Sequence, residues 1–232
     1  MKKIALLIIS CLVTIACLEG TKSSETIESN QHIVDHDASS NFTTAQSIAN
    51  SNGSAEWKNV NEIRFTFNVD HGENHFERSW IWEPKTNNIK MIKVNDTVSY
   101  NRVNMDSITQ KTDASFINDK YWFLAPFNLV WDEGTSFSEK ENVVAPISKD
   151  TLNLLTVVYG SEGGYTPGDA YDFYFGKDYE IKEWVFRKSN DSLPSLTTTW
   201  EDYETFNGLK VAKMHKDSTA NFKVYFTNIS IK

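Results

Sequence analysis

Apolar and polar positions alternate along most of this chain. Ile63, Phe65, Phe67 and Val69 interleave with Glu62, Arg64, Thr66 and Asn68, the period-two pattern of a half-buried strand. The polar stretch His71-Gly72-Glu73-Asn74 predicts a turn, after which Phe76, Arg78, Trp80 and Trp82 fall on one face of a second strand. Two further strands are expected over 88–94 and 97–103, joined at Asn95-Asp96. The first half thus predicts a four-stranded antiparallel meander.

Two stretches break the alternation. Over 42–52, Phe42, Ala45, Ile48 and Ala49 recur at helical spacing, with Asn41 placed to cap the start and Gly53 to stop the end. Within 105–150, Ile117, Tyr121 and Leu124 share a helical face with Phe116 and Phe123 beside it. Pro126 is expected to end that segment, because it denies Ala125 helical geometry. A segment so aromatic must cover something apolar. Residues 132–149 are polar and read as a loop.

The second half returns to strands. Leu152–Tyr159 is apolar on both faces, and 160–169 is a glycine-rich loop. Tyr171–Phe175 and Ile181–Arg187 flank Gly176-Lys177-Asp178 as a hairpin. Leu196–Tyr203 and Val211–His215 flank Asn207-Gly208, a type I′ turn signal, and 222–231 closes the series. The expectation is a mainly β (α+β) chain of nine to eleven strands with short helices.

The N-terminus changes the cellular picture. Lys2 and Lys3 precede an apolar run from Ile4 to about Ile15, too short to span a bilayer, and Cys17 follows the small residue Ala16. This resembles a bacterial lipobox, with 1–16 removed and Cys17 lipidated. Cys11 offers a second site after a shorter apolar run, and a plain cleaved signal is the alternative. Residues 17–40 read as a lipidated cysteine and polar tether, and 41–232 as one domain. Both cysteines of the chain lie in the first 17 residues, so no disulfide and no thiolate site is expected in the domain. The net charge is −8, and −10 without Lys2 and Lys3. Such a balance disfavours a nucleic-acid partner.

Candidate chemistry is sparse. His71, Glu73 and His75 alternate and would suit a metal on a strand, but they read better as a turn. His32, Asp35, His36 and Asp37 fall in the tether. Asp169 and Asp172 could do acid–base work, though capping is the better reading. Gly160–Gly168 lacks the following helix that a phosphate loop needs. No G-x-S-x-G, H-E-x-x-H, P-loop or dinucleotide fingerprint is present. No enzyme activity, cofactor or metal is expected.

Taken in order, the lipobox, tether, helix and Trp57 lead into a strand run. The aromatic insertion Tyr121-Trp122-Phe123-Leu124-Ala125-Pro126-Phe127 interrupts it. Pro167-Gly168-Asp169-Ala170-Tyr171 then opens a hairpin, and Asp202-Tyr203 with Asn207-Gly208-Leu209 follows. This order over roughly 42–232 resembles the LolA/LolB-like superfamily, in its Bacteroidetes-type outer-membrane lipoprotein branch. The resemblance implies an unclosed antiparallel half-barrel whose concave face is covered by helices and, in carrier and receptor members, holds acyl chains. It implies a non-enzymatic, monomeric lipoprotein at the outer membrane, in the periplasm or at the cell surface, that binds lipid, acyl chains or another apolar ligand. The groove and its cover would comprise Phe65, Phe67, Trp80, Trp82, Tyr121, Trp122, Leu124 and Phe127. Two other readings are a structural or interaction lipoprotein with a plugged core, and a glycan-binding or hydrolytic surface lipoprotein.

Overall fold

The computed structural model describes residues 42–162 and 166–232. Cys11, Cys17, the tether and its histidines lie outside the described residues. The meander forms as the alternation predicts. It comprises β1 (Ile63–His71), β2 (Asn74–Glu83), β3 (Asn88–Lys93) and β4 (Asp96–Asn101). Phe65 stands opposite Trp80, and Trp80 opposite Met91, so one face is continuously apolar. β12 (Phe222–Ile231) pairs with β1, followed by β11 (Leu209–Lys216) and β10 (Glu201–Phe206), making a seven-stranded antiparallel sheet. A five-stranded antiparallel sheet follows the order β5 (Thr135–Val144), β6 (Thr151–Tyr159), β7 (Ala170–Phe175), β8 (Ile181–Arg187) and β9 (Leu196–Thr199).

The expected strand 196–203 is in fact two strands in different sheets. Trp200 carries the chain between them. Its ring is buried, and its backbone N–H donates to the Lys182 carbonyl at 2.7 Å. Beside it, the Thr199 hydroxyl accepts from the Lys216 N–H at 3.1 Å. Burying one large ring thus redirects a segment that the alternation alone reads as continuous. Among the described residues β4, β5, β9 and β10 are each paired on one side only, so the barrel is unclosed. This is the mainly β class that the alternation predicts and the unclosed half-barrel that the resemblance implies, with twelve strands rather than nine to eleven.

The other added strand is β5, where a polar loop was expected. Its side chains are almost all exposed because it is an outer edge, so no apolar face marks it. The ladder to β6 satisfies its backbone on one side. Glu139, Lys140 and Glu141 with a break in register after Lys140 make the other side a poor template for a further strand.

One helix joins the β4 edge to the β5 edge. α2 (Ser107–Trp131) is longer than predicted at both ends. Asp106 caps it, accepting from the N–H groups of Ile108 at 3.0 Å and Thr109 at 2.8 Å. Pro126 does not end it. The backbone kinks instead at Leu124 (φ −128°, ψ 23°), and the helix resumes. An interior proline costs about 3 kcal/mol. Burial of Phe127 and Leu129 beyond it, at about 1.5–3 kcal/mol for each side chain, offsets that cost. The helix fills much of the concave face. Phe123 lies between Phe65 and Phe226, 4.8 Å from each ring, and Phe116 stands 5.3 Å from Trp80.

The short helix α1 (Thr44–Ser51) starts later than predicted. Thr43 and Gln46 form a capping box, and Phe42 lies outside the helix, 55% exposed. Gly53 stops it as expected, with φ +86°. A Cβ at Gly53 would stand 2.0 Å from the Gly208 carbonyl oxygen, so only glycine lets α1 dock on the β10–β11 hairpin. Asn207 and Gly208, at φ +47° and +82°, have the left-handed geometry that the turn signal predicts. Among the described residues no helix is long and apolar enough to cross a membrane.

Candidate functional site

The inward faces do not pack solid everywhere. A cavity of 440 Å³ opens beside the β1–β2 turn and the start of β12. Phe67 and Val69 of β1, Phe76 of β2, and Phe222 and Val224 of β12 line one wall. Tyr171, Trp184, Phe186 and Leu196, from the five-stranded sheet, line the opposite wall. The apex of α2 separates them with Tyr121 and Trp122. Strand alternation explains the composition, since each wall residue occupies the inward parity of its strand. The rim is open to solvent at Phe76, which is 43% exposed.

Three of the eight groove residues expected from the sequence line this cavity: Phe67, Tyr121 and Trp122. Phe65, Trp80, Trp82, Leu124 and Phe127 lie instead in the solid core around α2, each at most 7% exposed. Sequence reasoning missed the far wall. Its signal was the alternation of Tyr171 with Phe173 and of Trp184 with Phe186, but nothing in the pattern shows that these strands face β1.

The polar groups on the walls are few. Asp119, fully buried, accepts from Arg78 Nε at 2.5 Å, Arg78 Nη2 at 2.6 Å, Trp80 Nε1 at 2.7 Å and Asn118 Nδ2 at 3.0 Å. Four donors on one carboxylate fix α2 against β2. Arg78 and Asn118 also line the cavity. A second pair ties the start of the helix to β4. Asp113 accepts from the Tyr100 hydroxyl at 3.0 Å and from Arg102 Nε at 2.9 Å. Across the cavity the Thr166 and Tyr171 hydroxyls stand 3.2 Å apart. The Tyr159 hydroxyl bonds to Asp132 at 2.8 Å and lies 3.0 Å from the Tyr121 hydroxyl. Burial pushes the Tyr121 phenol well above its ordinary pKa, so it is neutral.

His215 sits behind Trp122, fully buried, with Trp200 4.4 Å away and Phe226 5.9 Å away. Neither ring nitrogen has a hydrogen bond of good geometry among the described residues. Burial lowers its pKa to about 3, opposed only in part by the nearby Thr199 backbone. The imidazole is therefore neutral and lies in apolar surroundings.

The other candidates resolve into local structure. His75 Nδ1 pairs with Asp70 at 2.7 Å, and its Nε2 lies 3.6 Å from Glu77, so the ring serves an exposed ion pair. Asp172 accepts from Thr156 at 2.5 Å and Arg187 at 2.9 Å, while Asp169 accepts from the Ser189 N–H at 2.7 Å. Among the described residues no group of three metal-ligating side chains is found.

No protein-family model and no curated protein matches the sequence. Among solved structures the chain is similar to a LolA superfamily protein from Nitrosomonas europaea, with a TM-score of 0.46. It is similar also to a DUF1329 family protein from Desulfovibrio piger, with a TM-score of 0.41. A third is a domain assigned to an outer membrane lipoprotein-sorting protein from Vibrio parahaemolyticus, with a TM-score of 0.44. Each match spans 82% of this chain and 94% of the other at 9% sequence identity, a likeness confined to the course of the backbone.

Proposed function

We propose that this protein is a non-enzymatic lipoprotein of the cell envelope that holds an acyl chain or another apolar ligand in the half-barrel cavity. The observation that carries the reading is the cavity itself. Its 440 Å³ lies in the size range of small-molecule sites, and most of its lining is aromatic or aliphatic. Apolar wall surface that faces water is stabilised when an apolar chain covers it, at about 25 cal/mol per Å². Each methylene transferred from water contributes about 0.8 kcal/mol, and several suffice to offset the ordering of a flexible chain. Burial without chemistry also fits the neutral state of the tyrosine and histidine around the cavity. The resemblance drawn from the sequence points the same way. In this reading the domain is carried at the outer membrane, as a monomer, by a lipid on Cys17 through the 17–40 tether.

Native mass spectrometry of the full-length protein, purified without detergent, tests the proposal. A mass increment matching a lipid is the expected result, together with saturable binding of a naphthylamine dye that added fatty acid displaces. If neither lipid nor dye binds, the apolar site is refuted and the protein is better read as an interaction module acting through its rim. The solid packing around Phe65, Trp80 and Phe123 is what favours that second reading.

A further inference from the structure

We infer that the ligand is an uncharged amphiphile with a hydroxyl head, such as a long-chain alcohol or a monoacylglycerol, with the head seated between Arg78 and Asn118 and the chain in the cavity. The inference rests on the apolar site proposed above and names the head of its ligand. Among the described residues Arg78 is the one charged side chain that lines the cavity. Its charge is already met, because Nε and Nη2 both bond to the fully buried Asp119. Asn118 Nδ2 donates at 3.0 Å to the same Asp119 Oδ1 that accepts from Arg78 Nη2 at 2.6 Å. One carboxylate oxygen thus holds the guanidinium and the amide side by side at the cavity wall.

This corner leaves one donor and one acceptor unused. Among the described residues Arg78 Nη1 donates no hydrogen bond. The Asn118 amide nitrogen is turned to Asp119, so its Oδ1, which accepts no bond among the described residues, is left for a ligand. The hydroxyls on the walls have neighbours of their own: Thr166 and Tyr171 stand 3.2 Å apart, and Tyr121 lies 3.0 Å from Tyr159. A ligand hydroxyl accepts from Arg78 and donates to Asn118 through a single oxygen. A carboxylate would give up its water for a donor whose charge Asp119 already meets, and would set a second acceptor against Asn118 Oδ1. An ammonium would meet the guanidinium and find one acceptor. The Arg78 side chain is only 13% exposed, with its guanidinium carbon 5.2 Å from the Phe76 ring centre and 5.7 Å from that of Phe67. A head placed there leaves bulk water, and that burial is what separates one head from another.

The test displaces the naphthylamine dye from the full-length protein at pH 8 with decanol, decanoate, decylammonium and methyl nonyl ether. The ether is an isomer of decanol that can accept a hydrogen bond but not donate one. Decanol should bind about tenfold more tightly than either charged chain. It should bind about fivefold more tightly than the ether, which leaves Asn118 Oδ1 unpaired. Asn118→Leu should bring decanol and the ether to within about twofold of each other, while the ether binds the variant as it binds the native protein. Equal affinity for decanol and the charged chains places the head in solvent, which overturns the inference and leaves the apolar site standing. Equal affinity for decanol and the ether also overturns it, by showing that no hydroxyl proton is recognised. A decanol-to-ether ratio untouched by Asn118→Leu removes Asn118 from the head site and overturns the placement argued here. Failure of every chain and of the dye to bind refutes the apolar site itself.

Discussion

Replacing His215 by phenylalanine should flatten the acid side of the protein's stability profile. The native imidazole has its pKa lowered from 6.5 to about 3 by burial. The sign follows from proton counting. Above pH 6.5 neither the folded nor the unfolded form holds the proton, so the residue contributes nothing. Below it the unfolded chain binds a proton that the folded chain refuses, and stability falls as pH falls. With those two pKa values the loss is about 2 kcal/mol at pH 5 and about 3 kcal/mol at pH 4. Phenylalanine cannot take up the proton, and its ring suits a niche made by Trp122, Trp200 and Phe226. At pH 8 the substitution removes two unpartnered nitrogens, worth about 1–3 kcal/mol. It also adds volume that can cost a similar amount. The informative quantity is therefore the pH dependence. Urea unfolding of both proteins at pH 8, 5 and 4 measures it, provided the slope against urea is unchanged. Carboxylates that titrate in this range do so in both proteins and cancel in the difference. The reasoning is refuted if the two stabilities fall in parallel from pH 8 to pH 5, because the native histidine would then be as easily protonated as a free one.

Four further outcomes follow from particular contacts. Asp119→Leu leaves Arg78 without its carboxylate at a partly buried site and should cost about 3–5 kcal/mol in urea unfolding. Gly53→Ala meets both a positive φ and a carbonyl oxygen 2.0 Å from the new Cβ, so it should cost more than about 1 kcal/mol and lower the melting temperature. Leu124→Ala, in the solid core at the kink, should lose about 2–5 kcal/mol of stability, whereas Phe67→Ala, on the cavity wall, should also weaken dye binding. Cys17→Ser should move the protein from the membrane fraction to the soluble fraction, whereas Cys11→Ser should not.

Much of the architecture was legible because strands with one wet face write themselves as alternation. The meander over 63–101 and the hairpins at Gly176 and Asn207-Gly208 need only local information, namely parity and turn residues that tolerate positive φ. What failed was local pattern without a fixed meaning. β5 has no apolar face because it lies at an open edge, so it resembles a loop. Pro126 is a strong stop signal taken alone, but burial of Phe127 and Leu129 offsets its cost. Trp200 splits an apparent strand because the core needs its ring at a point between two sheets.

The sequence by itself determined the β class, the exclusion of cysteine chemistry from the domain, and the presence of more aromatic side chains than a surface can carry. It also placed Arg78 on the apolar face of its strand. Tertiary structure alone decided which aromatics fill the core and which wall a cavity, since that depends on where α2 kinks and which sheet faces it. Only the fold brings Trp184 and Phe186 opposite Phe67, leaves His215 neutral behind Trp122, and sets Asn118 beside Arg78 at the cavity wall. Alternation assigns a side chain to a face of its own strand. Which strand stands across the concave side is fixed by sheet order and curvature, and these arise from contacts between residues far apart in the chain.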